Sequence, residues 1–367
     1  MAFRKGTVEN MGLDHFWAGR RVFVTGHTGF KGAWLCLWLE KLGAHVFATS
    51  LPANTSPSLH NLLTVERKTD GSIVDIRDVS DLTASLLRAQ PEIVIHLAAQ
   101  ALVRHSYRDP INTYSTNVMG TVNLLEAAKL ADSVKTVLVV TTDKVYANNG
   151  AGIPFVETDP LGGEDPYSNS KAAVELVCQS YRHSFFAQRG IRLATVRAGN
   201  VIGGGDWSED RLVPDFIRAL EAHQTIMLRY PYAIRPWQHV LEPLRGYMTF
   251  AQLLTEGKVS LPQALNFGPN PQNFATVSQV VDTLAAIGSN PTPWQQDPGE
   301  HPQEASFLTL NSSLAKETIG WEPFLDLNQT LSWTLAWYKN FQLGADMYEF
   351  SLKQITDYED IIESRYS

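Results

Sequence analysis

A short β-branched run, Arg21-Val-Phe-Val-Thr25, passes directly into Gly26-His-Thr-Gly29-Phe-Lys-Gly32 and then into apolar residues on helical spacing from Ala33 to Leu42. No other feature constrains the fold as strongly, because a buried strand, a glycine loop and a helix in immediate succession make one half of a βαβ unit. Glycines spaced three and three let the backbone approach a pyrophosphate at a helix N-terminus, where free amide donors and the helix dipole favour anions. Gly26, Thr28, Gly29, Phe30, Lys31 and Gly32 are therefore the candidate dinucleotide contacts.

The alternation continues. Strands are predicted over His45–Ser50, Ser72–Asp75, Ile93–Leu97, Thr136–Thr141 and Leu193–Val196, and helices over Val79–Ala89, Thr116–Leu130 and Pro166–Gln188. Such a pattern calls for an α/β fold, a Rossmann-type doubly wound parallel sheet covered by helices on both faces. Beyond Gly199 the run Gly203-Gly-Gly205 and Pro214, Pro231, Pro236 and Pro243 break the pattern, so a smaller C-terminal α/β substrate domain is expected. The cofactor domain is expected over residues 15–200 with a return segment at about 239–267. The substrate domain is expected over 201–238 and 268–340, with tails at 1–14 and 344–367. The second tail is amphipathic and aromatic, suited to packing on the body or on a partner.

Length and charge narrow the function. The 367 residues suffice for a large core, and the formal net charge of -8 comes with no compensating basic run. Nucleic-acid and anionic-membrane binding are therefore not expected. Two cysteines, Cys36 and Cys178, give neither a disulfide framework nor zinc spacing and suit a cytoplasmic protein. No segment is apolar enough to span a bilayer, and residues 1–15 lack the apolar stretch of a signal peptide.

The chemistry concentrates in Tyr167-Ser-Asn-Ser-Lys171 and Thr142-Asp143-Lys144. Tyr and Lys four residues apart share a helix face, where an ammonium can depress a phenol and turn it into a base. The adjacent Asp143 and Lys144 add a second acid and base, more than a plain alcohol dehydrogenase needs. For the adenosine ribose an acid is expected at the end of the second strand, yet Ala48-Thr-Ser-Leu51 carries neither a carboxylate nor an arginine. NAD is favoured over NADP. Asp75 and Ile76 suit adenine contact, although Asp75 reads equally well as a helix cap.

With these motifs, and with Leu97-Ala98-Ala99 closing an apolar strand and Asn117 in the following helix, the chain resembles the extended short-chain dehydrogenase/reductase family. Thr142-Asp143 in place of a Ser-Ser pair sides with its sugar-nucleotide 4,6-dehydratases rather than its 4-epimerases. Lys144 departs from their usual Glu. That departure, with the loop Gly26–Gly32, Arg197-Ala-Gly-Asn-Val-Ile-Gly-Gly-Gly-Asp-Trp207 and Ile234-Arg-Pro-Trp-Gln-His-Val240, resembles the branch acting on a CDP-hexose.

The resemblance implies NAD as cofactor, with Leu97, Ala98, Ala99, Asn117, Tyr167 and Lys171 among its contacts. It implies Tyr167 as the base at the sugar O4, Thr142 as a hydrogen-bond partner near O4, Asp143 as the acid and Lys144 as the base of a water elimination. It also implies a homodimer formed through the helices after the fourth and fifth strands. Asn200 and Arg235 are candidates for the diphosphate, or else a turn residue and a surface ion pair. Arg211, His301 and Glu304 match positions where the family contacts phosphate, ribose or base, or are ordinary solvated side chains. His96 and His239 read as structural, and Trp207, Phe216 and Trp237 as packing.

Overall fold

A computed structural model describes residues 13–63, 68–257, 260–288, 294–302 and 304–366. The tail expected at 1–14 therefore lies, as far as residue 12, outside the described residues. Seven parallel strands form the central sheet: β1 (Arg21–Thr25), β2 (His45–Ser50), β3 (Asp70–Ile73), β4 (Ile93–His96), β5 (Thr136–Val140), β6 (Arg192–Ala198) and β7 (Ala264–Phe267). Their spatial order is β7-β6-β5-β4-β1-β2-β3. The chain direction across the sheet reverses between β1 and β4, and ligands of open α/β sheets bind in the crevice at such a reversal.

Strand periodicity divides the core between the two faces. Val22 and Val24 join one apolar cluster and Phe23, between them, joins the other. On the first face α1 (Phe30–Lys41) is apolar all round, with every residue from Gly32 to Leu39 buried. On the other face α2 (Val79–Ala89) packs against α3 (Gly120–Leu130). Asp78 caps α2 by accepting from the amides of Ser80 and Asp81.

The expected Thr116–Leu130 helix opens with a π-helical turn, Ser115–Met119, before α3. The expected Pro166–Gln188 helix is α4 (Pro166–Tyr181) followed by a second π turn, Arg182–Phe186. The third strand begins at Asp70 rather than Ser72 and ends before Asp75.

Segments beyond Gly199 form three two-stranded ladders: Val201–Ile202 with Gln238–His239, Ile234–Pro236 with Phe274–Thr276, and Ile226–Leu228 with Trp294–Gln296. Helix α5 (Leu241–Glu256) leads back to β7, which pairs with β6 at the sheet edge. Two further helices, α6 (Leu327–Gln342) and α7 (Met347–Tyr366), finish the described chain.

Helix α7 docks on the body. Trp38 Nε1 and Lys41 Nζ of α1 both reach the Glu359 carboxylate, and Tyr358 is fully buried with its hydroxyl donating to Glu242 of α5. No described helix is long and apolar enough to cross a membrane.

Candidate active site

The glycine loop forms an open cradle. Gly26 has φ +81, and a Cβ there would lie 2.7 Å from the Ala98 nitrogen, while one on Gly32 would lie 2.1 Å from the Gly26 oxygen. Gly29 differs, because a Cβ on it would meet only the Gly26 oxygen, at 3.4 Å. It is the N-cap of α1 and supplies no side-chain cap, so the first-turn amides keep their donors for an anion. These residues fit a dinucleotide pyrophosphate. Phe30 and Lys31 follow, half-buried at the start of α1.

Around the cradle the protein satisfies itself more than the sequence suggests. Thr28 Oγ1 lies 2.7 Å from Ser50 Oγ and donates to the Leu51 carbonyl, tying the loop to the end of β2 where a ribose acid would stand. Asp75 is not the cap of α2, which is Asp78. Asp75 accepts from the amide and guanidinium of Arg77, which hold its carboxyl below the usual range. Ile76 is buried beneath Gly120, where an added Cβ would come within 2.5 Å of Ile76 Cδ1.

Half-buried Leu97, Ala98 and Ala99 follow β4. Asn117, expected at the cofactor, spends its amide on the protein. It exchanges hydrogen bonds with Gln100 and donates to Ser170 Oγ at 2.8 Å, locking the loop after β4 to helix α4.

The expected acid and base residues converge where β5 ends. Thr142 caps the 3-10 turn Asp143–Val145, and its hydroxyl donates to Asp143 Oδ1 at 2.9 Å. The Thr142 side chain also stands beside the Tyr167 phenol, where it opposes the upward push of burial. Lys144 Nζ donates to Asp143 Oδ1 at 3.2 Å, and Lys171 Nζ donates to the Val140 carbonyl at 3.1 Å. Asp143 is fully buried, its Oδ2 has no hydrogen-bond partner among the described residues, and a Cβ on Gly199 would lie 2.4 Å from that oxygen. Only glycine at 199 leaves room for the acid.

Electrostatics modify the expected tuning. Burial pushes the Tyr167 phenol up to about 12 in the protein alone, opposite to the depression anticipated from Lys171. Burial pulls Lys171 down to about 8, and burial together with Arg211 pulls Lys31 down to about 7 against the opposing pull of Asp143. Lys31, at the glycine cradle, thus also feels the charge of Asp143. His96 and His239 are buried and held down to about 3, hence neutral, and His96 bonds Thr25 and Thr121. Among the described residues no cluster of His, Cys, Asp or Glu could hold a metal.

On the opposite wall, Asn200 follows Gly199 and its Oδ1 is buried without a partner. Arg211 pairs with Asp206 at 2.9 Å, and buried Arg235 pairs with Glu304 at 3.2 Å. His301 stands apart from these. Its ring lies edge-on to Tyr230 and its Nε2 is 3.2 Å from Asp297, close in distance but outside hydrogen-bond geometry. Trp207, Phe216 and Trp237 belong to the core.

A buried network missed in the sequence lies directly behind the site. Glu175 accepts from Thr141 Oγ1 and Thr195 Oγ1, each at 2.6 Å, and from Arg197 Nε and Nη2, each at 2.9 Å. Arg197 also donates to the Tyr146 hydroxyl, which donates in turn to Asn266 on β7. The available signal was the spacing, since Glu175 stands one helical turn beyond Lys171 just as Lys171 stands one turn beyond Tyr167.

A doubly wound sheet with an open glycine cradle and a Tyr-x-x-x-Lys helix at its switch point defines a class, the dinucleotide-dependent enzymes that act on hydroxyl groups. A profile of the NAD dependent epimerase/dehydratase family matches residues 22–268. The chain belongs to that NAD-dependent family.

Among its relatives, CDP-glucose 4,6-dehydratase of Salmonella typhimurium is 48% identical over 350 residues, covering 94% of this chain and 97% of the relative. The dTDP-glucose 4,6-dehydratase of Xanthomonas campestris pv. campestris is 28% identical, covering 86% and 92%. Among solved structures, dTDP-glucose 4,6-dehydratase from Bacillus anthracis in complex with NAD shares the fold at TM-score 0.74 and 22% identity, covering 90% and 100%. The UDP-glucose 4-epimerase of Thermotoga maritima shares it at TM-score 0.77 and 24% identity, covering 88% and 99%.

Proposed function

We propose that the protein is a hydro-lyase converting CDP-D-glucose to CDP-4-dehydro-6-deoxy-D-glucose and water. The observation that carries this reading is the unpartnered Oδ2 of buried Asp143 beside the Thr142–Tyr167 pair. Oxidising a hydroxyl needs a tyrosine and a lysine, whereas a carboxyl kept dry at the same place suits the expulsion of a second hydroxyl as water. The near full-length similarity to a CDP-glucose 4,6-dehydratase supports the choice of nucleotide and sugar.

NAD, held by the Gly26–Gly32 loop with Tyr167 and Lys171 beside it, would supply an acceptor for the C4 hydride and a donor for its return at C6, so that no net oxidation would remain. Tyr167 takes the O4 proton, Thr142 orients that oxygen, and the Lys171 ammonium stabilises the negative charge on the phenol oxygen. The ketone at C4 acidifies the proton at C5. A proton passing from the Lys144 ammonium to the Asp143 carboxylate across their 3.2 Å contact leaves a neutral amine and a carboxyl, so that Lys144 can remove the C5 proton and Asp143 can protonate the departing C6 hydroxyl. Arg211, Arg235 and Asn200 hold the diphosphate, Glu304 orients the Arg235 fork, and His301 lies on the nucleoside side.

The working unit is a homodimer joined along the helices after β4 and β5, whose outer faces expose Met119, Leu130, Leu176 and Phe185. The reaction runs in the cytoplasm and supplies deoxysugar synthesis for surface polysaccharide such as lipopolysaccharide. Incubation with CDP-, dTDP- and GDP-glucose tests the reading through the alkali-sensitive absorbance of a 4-keto-6-deoxy product. CDP-glucose should react fastest. Preference for another nucleotide would move the substrate assignment, and a C4 epimer without the absorbance would overturn the dehydration.

A further inference from the structure

Helix α4 meets the end of β5 through three successive turns. Tyr167, Lys171 and Glu175 are spaced by four residues and share one helix face, and each reaches one of three consecutive residues at the strand end. Tyr167 stands beside Thr142, Lys171 donates to the Val140 carbonyl, and Glu175 accepts from the Thr141 hydroxyl. The third contact touches no reacting atom in the proposed chemistry, yet it is the most fully satisfied. Four donors converge on the Glu175 carboxylate, which leaves it no alternative arrangement. Its main partner Arg197 is itself fixed by the Tyr146 hydroxyl and the Glu157 carbonyl, so the contact is anchored in β6 and in the loop after β5.

We infer that Glu175 is a positioning residue, and that its bond to Thr141 sets how far Tyr167 and Lys171 reach past the strand end. The inference rests on Tyr167 and Lys171 acting as the base pair of the proposed reaction. Thr141 lies between the two residues those side chains touch, so sliding of α4 along the strand end would lengthen both catalytic contacts together.

The carboxylate also acts through its charge. Burial pulls Lys171 down, and Glu175 opposes that pull. Cys178, also near Lys171, is itself driven far above the ordinary thiol range by burial and stays neutral. Glu175 therefore supplies the negative charge that helps Lys171 remain an ammonium.

Three variants test this. Thr141→Val removes only the hydroxyl and should lower kcat about tenfold with KM within about twofold, and Thr141→Ser should restore most of the rate. Glu175→Gln keeps the shape but removes the charge. Carbon-13 NMR titration of the lysine side chains, without substrate, should then find Lys171 deprotonating about one pH unit lower.

Wild-type kcat in Thr141→Val, a Thr141→Ser variant as slow as Thr141→Val, or an unmoved Lys171 titration would each overturn the inference. If Glu175→Gln does not fold, the two Thr141 variants decide the matter. The titration uses no sugar nucleotide. A wild-type protein inactive on every sugar nucleotide would sink the proposed function while leaving the positioning of Lys171 to that measurement.

Discussion

At the scale of single residues, Asp143 separates elimination from oxidation. Asp143→Asn keeps the volume but cannot deliver a carboxyl proton, so it should still oxidise C4 and then stall. Reduced nicotinamide should accumulate in its near-ultraviolet absorbance while product formation falls at least about 100-fold. Turnover at the wild-type rate would remove Asp143 from the acid role.

Lys171 sets a pH limit. Its charged form persists below about 8 and is lost as the pH rises through that value. A rate that needs the ammonium should therefore fall on the alkaline side of about 8, read as kcat/KM across a pH series, which reports the free enzyme.

Thr142-Asp143-Lys144 and the Tyr167, Lys171 pair were legible in the sequence as two short motifs, and the order of the strands is what places both at one end of the sheet. The direction of the Tyr167 shift was not, since desolvation depends on residues distant in sequence. Nor were the partners of Asp75 and Asn117, whose polar groups are consumed by Arg77 and by Gln100 and Ser170.

At the scale of elements, the strands of the sheet were readable as apolar β-branched runs, and the crossover helices were readable from their period. The two π turns were not. Each lies within a continuous helical pattern, and the wider turn gives no hydropathy signal. The first of them carries Asn117 to its bonds with the loop after β4.

The role of the last helix was equally hidden. Amphipathicity left open whether α7 covers the body or a partner, and its contacts with α1 and α5 answer that. Glu242 accepts from the amides of Phe324 and Leu325 and from the Tyr358 hydroxyl, so one buried carboxyl joins three segments. Tyr358→Phe removes one of those donors and should cost about 1–3 kcal/mol, measured as a lower denaturant midpoint with an unchanged m value. An unchanged midpoint would mean that the Tyr358–Glu242 bond does not help seat α7.

At the scale of the whole molecule, the sheet reversal lies between β1, which leads into the glycine cradle, and β4, and Arg211, from the segments beyond Gly199, acts electrostatically on both Lys31 and Tyr167. The exposed apolar residues along the helices after β4 and β5 predict a dimer, and light scattering should return twice the chain mass. A monomer at working concentration would reject that association.

The central claim is that one hydride leaves C4 and comes back at C6 within the same sugar while water departs. CDP-glucose carrying deuterium at C4 tests it most directly. NMR of the product should find the deuterium on C6 of a 4-keto-6-deoxy sugar. Deuterium retained at C4 of an epimerised hexose, or lost to the solvent, would contradict the account.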